Sequence, residues 1–255
     1  MNMAKQEAKV KISQIREGEP EDFSRVPTGI PGLDELCGGG FERNSSVLVM
    51  GGAGSGKSTF LNQFIYTGAA FYDEPGIILS LEEPKENIIR HSLDYGWDLK
   101  SLEKEGKLSI INYTPNEVKK LSEEGGGLIW DTITDIGAKR VVVDSLTSYV
   151  VLFGSKYQAR EAQLELFDMI RKWKCTTVFS GEAVRNASVR TDFGMEYLTD
   201  AVIALHRPRK NNARIRAIEI FKMRGTNHTQ KICPFDIVPG EGLVVYPNED
   251  VFEEI

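Results

Sequence analysis

The sequence predicts an α/β protein, with a mainly parallel central sheet flanked by helices and an antiparallel β extension at the C-terminal end. Three observations carry this. Short β-rich apolar runs alternate with amphipathic helical stretches from Arg25 onward, and strand–helix–strand repetition implies a parallel sheet with right-handed crossovers. Runs such as GIIL and VVV are apolar without alternation, as strands covered on both faces are. After Ala201 the helical patterns stop and turn signals take over.

Taken in order, residues 1–24 are rich in Lys and Glu with few apolar anchors and read as a charged N-terminal tail or short peripheral segment. A single domain is expected over 25–255, because no linker composition divides it. Strands are expected at Ser46–Met50, Gly76–Leu81, Leu108–Ile111, Arg140–Val143, Thr176–Ser180 and Ala201–Leu205. The clearest helix is Gln158–Lys174, where Ala159, Ala162, Leu166, Phe167, Ile170 and Trp173 recur at spacings of three and four. Arg207–Arg214, with an Asn-Asn pair at its centre, reads as a hairpin turn joining Ala201–Leu205 to Arg216–Phe221, its cations a solvated face. Phe235–Val238 and Leu243–Tyr246, separated by Pro-Gly-Glu-Gly, suggest a further hairpin. The last residues, Asn248–Ile255, form an acidic tail expected to fray.

A net charge of −6 argues against general affinity for nucleic acid or anionic membranes, which is driven by Lys and Arg neutralising phosphates. Cys37, Cys175 and Cys233 lie far apart without C-x-x-C spacing, which suggests neither a zinc knuckle nor a disulfide framework and fits reduced thiols in a cytoplasmic protein. No segment reaches about 18 uninterrupted apolar residues, so no membrane association is expected.

The stretch Gly51–Thr59, GGAGSGKST, contains G-x-x-x-x-G-K-S directly after the strand SVLVM and before the helical pattern FLNQFIYTGAAF. That is the setting a phosphate-binding P-loop requires. Backbone N–H groups of Gly52, Ala53, Gly54, Ser55 and Gly56 wrap a phosphate, the helix N-terminus adds its partial positive charge, Lys57 bridges the β- and γ-phosphates, and the Ser58 hydroxyl ligates Mg2+.

Carboxylates are expected at neighbouring strand ends, where ligands of open parallel sheets bind. RVVVDS ends its apolar run at Asp144, placed to hold the magnesium shell directly or through water. GIILSLEE ends at Glu82 and Glu83, either of which could orient an attacking water. Consecutive strand residues point to opposite faces, so one of the pair is expected to reach the phosphate: Glu82 first, Glu83 second, with capping or a salt bridge as the alternative for Glu83.

With these residues in hand, the chain resembles the RecA superfamily and, within it, the single-domain archaeal and bacterial relatives of the circadian-clock ATPase KaiC. The resemblance covers Arg25–Tyr246 and rests on RVPTGIPGLDELCGGGF, on EPGIILSLEEPKENIIRHSLDYGWDLKSLEKEGKLSII, on RVVVDSLTS, and on KMRGTNH followed by PFDIVPGEGLVVYP. It implies a RecA-like P-loop fold that binds ATP with Mg2+ between adjacent subunits of a ring, usually a homohexamer, with slow hydrolysis, a regulatory role and an unidentified protein partner. By position, Ser55–Thr59 hold phosphates and magnesium, Glu82 and Glu83 correspond to the tandem catalytic glutamates, and Asp144 corresponds to the Walker B acid. Lys222, Arg224, Thr226 and His228 correspond to the K-x-R-G-x-x-H element that reaches the neighbouring subunit's nucleotide. Lys222 and Arg224 are accordingly expected to act in trans, the more so because the parallel-sheet part offers no obvious arginine to neutralise charge on the γ-phosphate.

There are departures from the clock proteins. They carry two such domains, whereas this chain has one, and no segment here matches their Ser/Thr phosphorylation site. Self-phosphorylation therefore stands as an alternative, beside a non-hydrolysing ATP-loaded scaffold. DNA recombination is a further alternative. Arg185 and Arg190 lie beside Glu182 and Asp192 without an aromatic stacking platform and, with Lys156 and Arg160, read as a plain pore or interface loop.

Overall fold

The computed structural model describes residues 24–123, 127–184, 190–210 and 212–251. The expected N-terminal tail up to residue 23, Arg185 and the last four residues of the acidic tail lie outside them. β1 (Arg25–Val26) and β2 (Phe41–Glu42) pair antiparallel around α1 (Leu33–Leu36). β3 (Ser46–Gly51) then runs through the glycine-rich loop into α2 (Lys57–Phe71). The alternation continues through β4 (Gly76–Ser80), α3 (Lys85–Leu93), α4 (Leu99–Lys104), β5 (Leu108–Asn112), α5 (Pro115–Glu123) and α6 (Gly127–Ile136). It ends with β6 (Arg140–Asp144), α7 (Leu146–Val150), α8 (Lys156–Lys172) and β7 (Thr176–Glu182). A single 3-10 turn, Met195–Tyr197, precedes β8 (Ala201–His206), a small ladder of β9 (Arg209–Lys210) and β10 (Ala213–Arg214), and then β11 (Ala217–Met223), β12 (Ile232–Val238) and β13 (Gly242–Val245).

The main sheet has the order β13-β12-β11-β8-β3-β7-β6-β4-β5. Its strands from β5 to β8 are parallel, and β11, β12 and β13 continue it antiparallel. The predicted α/β sheet with an antiparallel extension is therefore the observed fold. Because β3 lies between β7 and β8 while the chain returns at β4, three strands away, the carboxyl ends of β3, β7, β6 and β4 share one crevice.

Strand alternation feeds two cores. Val47 and Val49 join Phe60, Leu61, Phe64 and Ile65 of α2 on one face, and Leu48 and Met50 join Leu166, Phe167 and Ile170 of α8 on the other. This is why α2, which carries the P-loop lysine at its start, is clamped to the sheet centre. The α8 stripe matches its sequence pattern, and the helix begins two residues early because the Ser155 hydroxyl accepts from the Gln158 N–H.

Two boundaries differ from expectation. β11 continues past Phe221 through Lys222 and Met223, because these pair with Val202 and Ala201 across a bulge after Ile220. Lys222 is therefore a strand residue and not part of the following turn. The segment expected as a simple hairpin tip, Arg207–Arg214, instead holds its own two-stranded ladder, with β8 and β11 pairing directly beneath it.

Candidate functional site

The loop leaving β3 is shaped by how closely its backbone meets its surroundings. A Cβ on Gly51 would lie 2.5 Å from Ser55 Oγ and 2.6 Å from the Leu205 carbonyl, and Gly54 and Gly56 adopt φ of 70° and 103°, which side-chain-bearing residues rarely enter. Inside the loop the Ser55 hydroxyl is buried with no hydrogen-bond partner among the described residues. Lys57 Nζ donates to the carbonyls of Gly51 at 2.9 Å and Gly52 at 3.2 Å. Burial pushes the Lys57 pKa down, while Asp144, Glu182 and Glu82 pull it back up, so this ammonium faces three carboxylates across the crevice. Ser58 and Thr59 open onto a cleft of about 260 Å³ lined also by Asn62, Glu83, His91 and Tyr95.

At the end of β6, Asp144 accepts a hydrogen bond from the Ser180 hydroxyl of β7. Its neighbour Ser145, joined by a cis peptide, caps α7 by accepting from Ser148 N–H. Register places Ser80 of β4 beside Asp144, so the turn after β4 lies over the start of α7. There the Glu82 carboxylate accepts from Ser145 Oγ at 2.6 Å and from Ser148 Oγ. Glu83 goes elsewhere: its carboxylate meets His91 Nδ1 at 2.8 Å, and its carbonyl accepts from Ser80 Oγ and Asn112 Nδ2. Of capping and a side-chain bridge, Glu83 takes the bridge to His91, since Pro84 is the N-cap of α3 and no side chain caps that helix.

A phosphate ligand fits these residues. The cradle offers a buried orphan hydroxyl, a partly desolvated ammonium and the N-terminus of a 15-residue helix. The oxygen donors Ser58 and Asp144 are of the hard type magnesium takes.

The remaining predicted residues lie at the other end of the sheet. Met223 pairs with Ala201, which pairs with Val47 at the start of β3, whereas the P-loop leaves β3 at Gly51. Four strand residues at ~3.3 Å each set Arg224 more than ~13 Å from its own P-loop. There Lys222 Nζ donates to the carbonyls of Glu196 and Thr199, and burial and Arg224 push its pKa down. Arg224 reaches Asp200 Oδ1 at 3.5 Å and the Tyr197 carbonyl at 3.4 Å. The Thr226 hydroxyl accepts from Arg25 Nη2 at 2.7 Å, and His228 Nδ1 lies 2.7 Å from the Thr229 carbonyl. The predicted residues thus form two groups, one at each end of the strands.

One expectation is corrected. The parallel part does bring an arginine to the loop: Arg207, one residue past β8, places Nη1 2.7 Å from where a Gly54 Cβ would stand. Sequence reasoning took it for a solvated hairpin cation, and only the register Gly51↔Leu205 reveals its neighbour. Ser145, Ser148, Ser180 and His91 were also missed, though the i, i+3 serines of DSLTS are a readable capping signal. In the expected pore segment, the Arg190 carbonyl accepts from Val184 N–H, and Arg160 of α8 donates to the Gly194 carbonyl.

Residues 26–250 match the family model described as "ATPase: KaiC". A UPF0273 protein of Methanocaldococcus jannaschii is 35% identical over 244 residues, covering 89% of this chain and 98% of its own. The circadian clock oscillator protein KaiC of Prochlorococcus marinus is 31% identical over 229 residues, which are 87% of this chain but 46% of that longer protein. The crystal structure of a KaiC-like protein from Pyrococcus horikoshii superposes with a TM-score of 0.79 at 37% identity, covering 88% of this chain and all of the other.

Proposed function

The chain belongs to the KaiC family of ATPases, and on that premise we propose that it is a slow, magnesium-dependent ATPase with a regulatory role in the cytoplasm. Its nucleotide sites lie between the subunits of a homohexameric ring. The observation that supports this best is the division of the phosphate-binding residues between opposite ends of one sheet. Gly52–Thr59, Glu82, Glu83 and Asp144 stand at the carboxyl end, and Lys222, Arg224, Thr226 and His228 at the other, beyond reach of their own P-loop. A head-to-tail neighbour brings the two ends together.

In this reading the P-loop amides and Lys57 hold the β- and γ-phosphates. Glu82, held by the Ser145 and Ser148 hydroxyls, orients a water and takes its proton as the water attacks the γ-phosphorus, the bond from that phosphorus to the bridging β-phosphate oxygen breaks, and ADP and phosphate leave. Magnesium, when bound by Ser58 with Asp144 behind it, supplies positive charge to the phosphate oxygens. Arg224 and Lys222 of the adjacent subunit neutralise charge developing on the transferred group, a contribution of about 10³ to 10⁵ in rate in comparable enzymes.

Lys57→Ala and Arg224→Ala should each abolish phosphate release or nearly so. Mixed together, they should recover part of it, because some interfaces then pair an intact P-loop with an intact arginine. No recovery in rings shown to have exchanged subunits would overturn the trans assignment.

A further inference from the structure

We propose that Arg207 is a phosphate-contacting residue supplied to the P-loop by its own chain. The inference rests on the nucleotide-site reading above and adds a residue to it. β8 lies parallel to β3 with Leu205 opposite Gly51, so the chain emerging from β8 passes directly over the glycine-rich loop. Two residues later Arg207 lays its guanidinium on Gly54, Nη1 occupying the space a side chain there would need.

This guanidinium has no ion-pair partner among the described residues. Among the described residues no carboxylate lies within ion-pair distance of it, its Nε is buried without a hydrogen-bond partner, and its carbonyl accepts from Arg214, which brings a second cation close. The acids around the crevice have other neighbours, Glu182 of β7, opposite Gly51, acting on Lys57. Glu219 pairs with His206 at 2.8 Å, Glu82 with Ser145 and Ser148, and Asp144 with Ser180. Arg207 is half-buried, a buried donor left unpaired is costly, and the planar fork of an arginine fits the oxygens of a phosphate. Charge and position agree: the anion that belongs beside Gly54 is the one the P-loop is shaped to bind.

The test is binding of ADP, inorganic pyrophosphate and adenosine, each with magnesium, to the full chain and to Arg207→Gln and Arg207→Lys, by calorimetry at two salt concentrations. Arg207→Gln should weaken ADP and pyrophosphate about 10- to 100-fold, as loss of a charge-assisted hydrogen bond does. Its salt dependence should become shallower, Arg207→Lys should recover part of the loss, and adenosine should bind unchanged. Thermal melting of both variants at the parent temperature separates this from misfolding; if Arg207→Gln melts early, the parent and Arg207→Lys affinities still decide. Parent-like pyrophosphate binding by Arg207→Gln overturns the proposal, and a changed oligomeric state alongside it points to a neighbour's carboxylate as the partner. If the parent itself binds neither ADP nor pyrophosphate, the nucleotide reading has failed and Arg207's role falls with it.

Discussion

Glu82 and Glu83 are consecutive, yet their carboxylates are committed to different partners. Glu82 is held by two hydroxyls from the start of α7, on the side of the crevice where its charge acts on Lys57. Glu83 faces the cleft beside Ser58 and Thr59 but is tied to His91. Hydroxyl donors position a carboxylate without neutralising it, whereas the contact with His91 Nδ1 turns the Glu83 carboxylate toward α3. Glu82→Gln should therefore lower ATP turnover by about 10² to 10⁴-fold, the range for loss of a general base, with nucleotide binding retained. Glu83→Gln should cost less. The measurement is single-turnover phosphate release, and the reverse ranking would move the base to Glu83.

At the scale of elements, α2 shows why local preference does not decide stability alone. Gly68 lies inside this helix, where alanine is favoured over glycine by about 1 kcal/mol. A Cβ there would sit 2.4 Å from both Cδ and Nε of Arg140, which is fully buried, stacked 4.5 Å from the Phe64 ring and bonded through Nε to Glu74 at 2.7 Å. Displacing one partner of a buried pair costs about 3–5 kcal/mol, so the packing term wins. Gly68→Ala should lower stability by roughly 2–4 kcal/mol, read as an earlier urea midpoint, and a later midpoint would refute this account. The same contrast explains what the sequence made legible. β3, β4, β6, β7 and β8 were visible because unbroken apolar runs need cover on both faces, and the P-loop because its spacing is dictated by a phosphate. Hidden were features that depend on which strands become neighbours. Ser145 and Ser148 reach Glu82 only because β4 pairs with β6, Arg207 reaches Gly54 only because β8 pairs with β3, and Lys222 is a strand residue only because a bulge carries β11 onward.

For the whole molecule, the reversal of direction at β11 has a consequence in counting. Each subunit of the proposed assembly presents a P-loop end and an arginine end that differ, so contacts are heterologous and either close into a ring or remain an open arc. An isolated subunit then contains no complete site, an arc of n subunits contains n − 1, and only closure gives every subunit one. Turnover per subunit should therefore fall toward zero on dilution and level off once rings dominate, a curve that phosphate release across a concentration series, paired with light scattering, would trace. A rate per subunit that stays constant down to monomers would show that one chain suffices. If the curve bends as expected, hydrolysis reports how many neighbours each subunit has, and any partner that opens or seals the ring changes the rate without touching a catalytic side chain.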